Sequence, residues 1–153
     1  YGARRSFVTL TRRSHLWCLK IGLPPLKSVA LKEYLEYMQN FRKLKVYIVA
    51  KELVKQVYYI VQRFPSEERY GLADQLRRSV ISVPSNVAEG LGRATDKDKG
   101  HFMQIAYGSL MEVLAQLDVA NYIGYISDEQ FQQLEKLIVE ESKLLSGMIN
   151  HLK

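Results

Sequence analysis

The first regular pattern along the chain is an apolar stripe with helical spacing between residues 41 and 63. Apolar side chains recur every three or four positions, which places them on one face of an α-helix. The spacing therefore predicts a first helix over residues 41–63. Its stripe consists of Leu44, Ile48, Leu53, Val57 and Ile60, with Tyr47, Val54, Tyr58 and Val61 widening it.

A second apolar seam follows the break at Phe64-Pro65-Ser66. Ser66 is a good N-cap, and Glu67 and Glu68 suit the positive end of a helix dipole, so we predict that the second helix begins there. The near-regular spacing of the seam keeps one face toward a partner helix. The seam consists of Leu72, Leu76, Val80, Val83, Val87 and Leu91.

Two capping signals divide the rest of the chain into two further helices. Thr95 with Asp98 resembles a capping box, and Ser127 with Gln130 fits its Ser-x-x-Gln form. We expect the third helix to stop near Gly124. The third stripe consists of Phe102, Ile105, Ala106, Leu110, Val113, Leu117 and Ala120, and the fourth of Phe131, Leu134, Ile138, Leu145, Met148 and Leu152.

The four predicted helices are joined by connections of only a few residues. Short connections force neighbouring helices to run antiparallel, and no segment shows the period of two that a strand requires. We therefore predict an all-α fold, an up-down-up-down antiparallel four-helix bundle. Pro84 offers no N–H to the carbonyl of Val80, so we expect a kink in the second helix.

Residues 1–37 differ from the rest of the chain in pattern and in charge. They lack sustained apolar periodicity, and they hold seven Lys and Arg against two Glu. Residues 38–153 hold fifteen Lys and Arg against fourteen acids, so most of the net charge of +6 belongs to the first segment. We expect an irregular basic extension over 1–37 and a bundle domain over 38–153. Whether that extension is native or is upstream read-through before a start at Met38 stays open.

The remaining composition excludes several classes of protein. The single cysteine, Cys18, cannot form an intramolecular disulfide. No apolar run reaches the roughly 20 residues that cross a bilayer. We therefore expect a protein of the reducing cytoplasm without a membrane partner.

Several motifs within the predicted helices resemble those of a known family. They are Phe64-Pro65 with Glu68-Arg69-Tyr70-Gly71-Leu72, then Gln75-Leu76-Arg77-Arg78-Ser79, then Pro84-x-Asn86-x-Ala88-Glu89-Gly90-x-Gly92-Arg93, then Ala106-Tyr107-Gly108-Ser109-Leu110. From Phe41 to Lys153 the chain resembles the four-helix-bundle protein encoded in intervening sequences of bacterial 23S rRNA genes. That family is similar to the accessory protein of diversity-generating retroelements. The resemblance implies a ring-shaped homopentamer, a proposed role in binding RNA or DNA, and no established enzymatic activity.

The glycines Gly90 and Gly92 have two interpretations. A phosphate-binding loop places such glycines between a strand and a helix, and no strand is predicted here. We favour close packing of the second helix against a neighbour, followed by a turn at its C-terminus. Within the family motif we therefore assign Pro84, Asn86, Glu89, Gly90 and Gly92 a structural role.

No catalytic or metal-binding constellation accompanies these residues. Ser79, Ser82, Ser85 and Ser109 lack a recognisable base and the glycine-flanked nucleophile elbow. A di-metal bundle needs two Glu-x-x-His motifs, and the nearest segment is Asp98-Lys99-Gly100-His101. We expect no enzymatic activity, no metal ion, no cofactor and no small-molecule substrate.

A basic set on the second helix and the turn after it is the candidate nucleic-acid interface. It consists of Arg77, Arg78, Arg93, Lys97 and Lys99. Arginine suits phosphate because its planar donors pair bidentately. The alternative is a solvated face or a subunit interface, because Asp74 and Glu89 are spaced to pair with Arg78 and Arg93.

The first helix also contains the apolar run Val46-Tyr47-Ile48-Val49-Ala50. One stripe in a monomer does not bury so wide a surface, so we expect self-association. Exposed tyrosines such as Tyr58 and Tyr59 can stack unpaired bases, although interfaces use them as well. Our leading hypothesis is a homo-oligomeric, pentameric bundle that binds RNA. The rival hypothesis is a scaffold that recruits a polypeptide partner without nucleic acid.

Overall fold

The structure, a computed structural model, describes residues 41–152, so the expectations about residues 1–37 and Met38 lie outside the described residues. That part of the chain contains four α-helices and no strand. The predicted all-α four-helix fold is confirmed. The helices are α1 over Lys45–Val61, α2 over Leu72–Leu91, α3 over Asp96–Tyr122 and α4 over Asp128–His151.

The start of α2 differs from its prediction. Ser66 does not cap α2, because Ser66–Tyr70 forms a separate 3-10 helix and α2 begins at Leu72. Gly71 separates the two helices with φ −99° and ψ −123°, a conformation outside the helical region. The capping group is the carboxylate of Glu68, whose Oε2 accepts a hydrogen bond from the Leu72 N–H at 2.8 Å.

The caps of α3 and α4 agree with the sequence. Thr95 Oγ1 accepts from the Asp98 N–H at 3.1 Å. Ser127 and Gln130 form a complete capping box, in which Ser127 Oγ accepts from the Gln130 N–H at 3.3 Å and Gln130 Oε1 accepts from the Ser127 N–H at 2.9 Å. Gly124, with φ +80°, provides the left-handed turn before that box.

We expect Ser127→Ala to lower the free energy of unfolding by about 1 kcal/mol, because it leaves a helix N–H without its acceptor. Urea denaturation measures the change. Ser66→Ala is the matched control and should stay within about 0.5 kcal/mol of the unaltered chain, since Ser66 caps no α-helix. Equal losses in the two variants would contradict this account of the α4 cap.

The four helices enclose one apolar core. Each helix packs against the next along the chain, and α1 also packs against α4, which closes the bundle. α2 is continuous through Pro84, whose side chain is buried. The fully buried large side chains of the core include Leu53, Val57, Leu76, Val80, Val83, Val87, Met103, Leu110, Leu117, Ile138 and Leu145.

Candidate nucleic-acid interface

The turn between α2 and α3 positions Arg93 through two contacts. Its guanidinium forms an ion pair with Glu89, one helical turn earlier. The same group lies over the Phe102 ring, 4.4 Å from the ring centroid. Arg93 is therefore held between a carboxylate and an aromatic face, and the predicted pairing with Glu89 is present.

Two lysines, Lys97 and Lys99, lie in the first turn of α3, a few residues after Arg93. Lys99 Nζ contacts Asp96 Oδ1 at 2.8 Å, and this hydrogen bond lowers the pKa of Asp96 below its ordinary value. Lys97 is exposed. Arg93, Lys97 and Lys99 thus gather at one end of the bundle.

Arg77 and Arg78 lie far from that group. They occupy the first half of α2, about 22 Å from Arg93 along the helix axis for a separation of fifteen residues. Arg78 pairs with Asp74 at 3.5 Å, and Arg77 is half-buried. The structure therefore divides the predicted basic set into two groups instead of one surface.

Two exposed cations outside the predicted basic set, Arg42 and Lys43, precede α1. Because α1 and α2 are antiparallel, the start of α1 lies at the same end of the bundle as the α2–α3 turn. The two cations are adjacent in the sequence, but their place at the same end of the bundle as Arg93 depends on the helix topology.

Charge is unevenly distributed along the bundle. We call the half that contains the start of α1, the α2–α3 turn and the end of α4 the basic half; it comprises residues 41–52, 83–110 and 139–152. It carries eight Lys and Arg against six acids, whereas the acidic half, residues 53–82 and 111–138, carries six against eight. One of the six acids in the basic half, Glu141, is buried in the core. The exposed positive charge therefore concentrates in the basic half.

The glycine pair serves packing at this site. A Cβ on Gly90 would lie 2.8 Å from Met103 Cε and 2.8 Å from Phe102 Cβ, closer than side chains approach. The Gly92 N–H donates to the carbonyls of Ala88 and Glu89. Because that donor is used within the helix, it is not directed at a phosphate.

Three serines connect α2 with α3, and Asn86 supports one of them from within α2. Ser82 Oγ and Ser109 Oγ are 2.8 Å apart, and Asn86 Nδ2 donates to the Ser82 carbonyl at 2.8 Å. Ser79 Oγ donates to Gln116 Oε1 at 2.7 Å. These hydroxyls join neighbouring helices, an arrangement that supports the structural interpretation of the motif.

Metal-ligand clusters and membrane-spanning helices are both absent from the described residues. Across residues 41–152, no group of three or more His, Cys, Asp and Glu side chains could hold a metal ion. None of the helices in that range combines the length and apolar content of a bilayer-spanning helix.

The core contains a buried carboxylic acid, Glu141, that is not part of the predicted stripe of the fourth helix. It lies between Ile138 and Leu145 on the core face of α4, and it is 0% exposed. A signal was present, because the apolar stripe of the fourth helix skips one core position between those two residues. Glu141 occupies that position, but an acid is not expected among core residues.

The apolar run of α1 is partly buried within the four-helix bundle. Val46, Val49 and Ala50 belong to the core, whereas Ile48 is 50% exposed. The excess apolar surface is thus smaller than the sequence predicted, and it extends to other helices. Further exposed apolar side chains are Leu44, Ile81, Ile105, Val119, Ile123 and Val139.

Comparison with known proteins places this geometry in a family. One solved structure, a protein of unknown function of the S23 ribosomal protein family from Bacteroides thetaiotaomicron, shares the fold with a TM-score of 0.62 and 21% identity. The match covers 68% of this chain and 97% of that one. Comparison with curated proteins gives no match. The family model described as 23S rRNA-intervening sequence protein matches residues 42–147. The chain therefore belongs to the family of 23S rRNA-intervening sequence proteins.

Proposed function

We propose that this protein is a non-enzymatic homo-oligomer, a pentamer, that binds RNA phosphates through its basic half. The observation that carries the proposal is the concentration of exposed cations in the basic half of a bundle whose total charge over residues 41–152 is close to neutral. The contacting residues are Arg42, Lys43, Arg93, Lys97 and Lys99. Arg77 and Arg78, in the acidic half, are the alternative contact site, and we expect them to contribute little to RNA binding.

The local contacts of the basic half suit a phosphate surface. Arg93 and Lys99 are already oriented by Glu89 and Asp96, so fewer side-chain rotamers are lost when a ligand binds. Guanidinium and ammonium groups contact phosphate oxygens without reading the base sequence. We therefore expect the affinity for RNA to depend strongly on salt concentration and weakly on the RNA sequence.

Self-association would place several copies of this weakly binding surface on one particle. Exposed Ile48, Ile81 and Ile105 provide apolar area for subunit contacts on the outside of the bundle. In a closed ring each subunit presents the same basic end, so a single RNA contacts several copies. Such multivalency raises affinity without new kinds of contact.

The test compares two double variants on RNA. Lys43→Ala/Lys97→Ala removes two exposed cations of the basic half, and we expect about tenfold weaker binding at low salt. For single-stranded RNA the slope of log affinity against log salt should fall by about 1.4, or about 0.7 per lost phosphate contact. Fluorescence anisotropy at several salt concentrations measures both quantities.

Arg77→Ala/Arg78→Ala is the matched control, because it removes the same charge from the acidic half. It should leave the affinity and the salt slope close to those of the unaltered chain. Loss of binding in this control alone would move the interface to the first half of α2. Unchanged binding in both variants, or a monomeric mass by light scattering, would contradict the proposal.

The scaffold hypothesis also has support in one observation. In the acidic half, Tyr70 is 85% exposed and Tyr122 is 91% exposed. Tyrosines of this kind are typical anchors of protein interfaces. A pull-down treated with nuclease separates the hypotheses, because a protein partner that survives digestion favours the scaffold.

A further inference from the structure

Glu141 is an acid in a position that the fold reserves for apolar side chains. It continues the core face of α4 between Ile138 and Leu145, and it has no exposed surface. Neither Oε1 nor Oε2 has a hydrogen-bond partner in the described part of the chain. Buried acids in proteins are normally paired, so an unpaired one calls for a physical explanation.

The described helices that pack against α4 present no base to Glu141. The fully buried residues of α1 are apolar, and Tyr47 is half-buried against the core. The nearby cation of α1, Lys45, pairs with Glu140 at 2.7 Å. On α3 the titratable group packed against the core is Tyr107, a half-buried phenol that carries no basic nitrogen. The core-facing side chains of α2 are apolar apart from Ser79. Of the two cations in the first half of α2, Arg78 is exposed and Arg77 is half-buried. Among residues 41–152, therefore, no cation neutralises Glu141 within the core.

The carboxyl of Glu141 avoids a buried charge by retaining its proton. Burial raises the pKa of Glu141 to about 8, and the negative charge of the adjacent Glu140 acts in the same direction. In neutral solution the group is a neutral carboxylic acid. Above that range its proton passes to a base in the solvent, and the core must then accommodate a carboxylate.

α4 is the helix that can respond most easily to such a charge. It buries four side chains over 24 residues, one of which is Glu141 itself. α1 buries seven over 17 residues, and α2 buries eight over 20. α2 is also fixed to α3 by the close approach at Gly90 and by the Ser82–Ser109 contact. For its length, α4 therefore contributes the fewest fully buried residues of the four helices.

We propose that Glu141 makes the docking of α4 a proton-dependent conformational switch. With the carboxyl neutral, the middle of α4 packs against α1 and α3. When the proton is lost, that part of α4 separates far enough for water to reach the carboxylate, while α2 and α3 stay paired. This switch is independent of RNA binding, and its test uses no nucleic acid.

The test is hydrogen exchange followed by mass spectrometry on the full chain. The unaltered protein is compared with Glu141→Gln, which stays neutral, at about pH 6 and about pH 9. At the lower pH we expect equal exchange in peptides from residues 134–148. At the higher pH, one unit above the transition, exchange there should be about tenfold faster in the unaltered protein. Comparison at the same pH cancels the intrinsic dependence of exchange on pH.

Two controls keep the test specific. Glu135→Gln removes an exposed acid from the same helix and should behave like the unaltered protein. Peptides from α2 should exchange equally in all three proteins. The proposal would be overturned if the ratio of exchange rates between the unaltered protein and Glu141→Gln were the same at both pH values. It would also be overturned if exchange in α2 and α4 of the unaltered protein accelerated equally at the higher pH.

A titration of the unaltered protein covers the case in which Glu141→Gln does not fold. The side-chain carboxyl carbon of Glu141 is followed by NMR against pH. A midpoint near pH 8, together with a change in the methyl signals of Ile138 and Leu145, supports the switch. A midpoint in the ordinary range of glutamate, or a titration that leaves those methyl signals unchanged, overturns it.

Discussion

Gly90→Val is expected to lower the free energy of unfolding by about 3 kcal/mol or more, because it forces α2 away from α3. The first added carbon would already lie 2.8 Å from Phe102 Cβ and 3.2 Å from the Lys99 carbonyl oxygen. Met103 Cε, at 2.8 Å, can move aside because it ends a flexible chain. Phe102 Cβ and the Lys99 carbonyl belong to α3 itself and move only with that helix.

The substitution should also disturb the basic half. Phe102 supports the Arg93 guanidinium, so a shift of α3 changes the position of both groups. We expect weaker RNA binding in Gly90→Val even at temperatures where the variant is folded. The stability change is measured by urea denaturation, and the binding change by anisotropy at one fixed salt concentration.

Gly108→Ala is the matched control for Gly90→Val. A Cβ on Gly108 meets no atom within 4 Å, so this position gains helix propensity without a clash. We expect it to stabilise the chain by up to about 1 kcal/mol. If the free energy of unfolding of Gly90→Val stays within about 0.5 kcal/mol of that of the unaltered chain, the helices do not approach each other closely at Gly90.

The order and type of the helices could be predicted because each depends on local pattern. The stripe of α3, for example, consists of side chains at helical spacing, and Leu110, Val113 and Leu117 are all fully buried. The caps at Thr95 and Ser127 are local as well, since each joins groups three residues apart. Ser66 was mispredicted because Gly71, a few residues later, interrupts the helix and transfers the cap to Glu68.

The candidate site was harder to predict because it depends on which ends of the helices meet. The sequence suggests one basic surface on the second helix and the turn after it, yet about 22 Å of helix axis separates Arg78 from Arg93. Arg42 is distant from Arg93 in the sequence, and only the antiparallel return of the chain brings them to one end. Hydropathy spacing carries no information about such proximity.

Glu141→Leu is expected to stabilise the protein, because it replaces an unpaired buried acid with an apolar side chain of similar size. At about pH 5 we expect a gain of about 2 kcal/mol, which is the cost of burying a neutral carboxyl without partners. The gain should be largest above the transition, where the unaltered chain must bury or expose a carboxylate. Glu135→Leu, on the exposed face of the same helix, should change stability by no more than about 0.5 kcal/mol.

The pH dependence of this gain has a definite sign. The folded chain holds the Glu141 proton up to about pH 8, whereas the unfolded chain releases it near its ordinary value of 4.5. Between those values the folded state binds more protons, so the stability of the unaltered protein falls as pH rises. The Glu141→Leu variant has no proton to hold at this position, so the difference between the two proteins should grow by on the order of 3 kcal/mol from about pH 5 to about pH 8. Urea denaturation at a series of pH values measures this difference, and a constant difference across the series would show that Glu141 is ionised or paired in the folded chain.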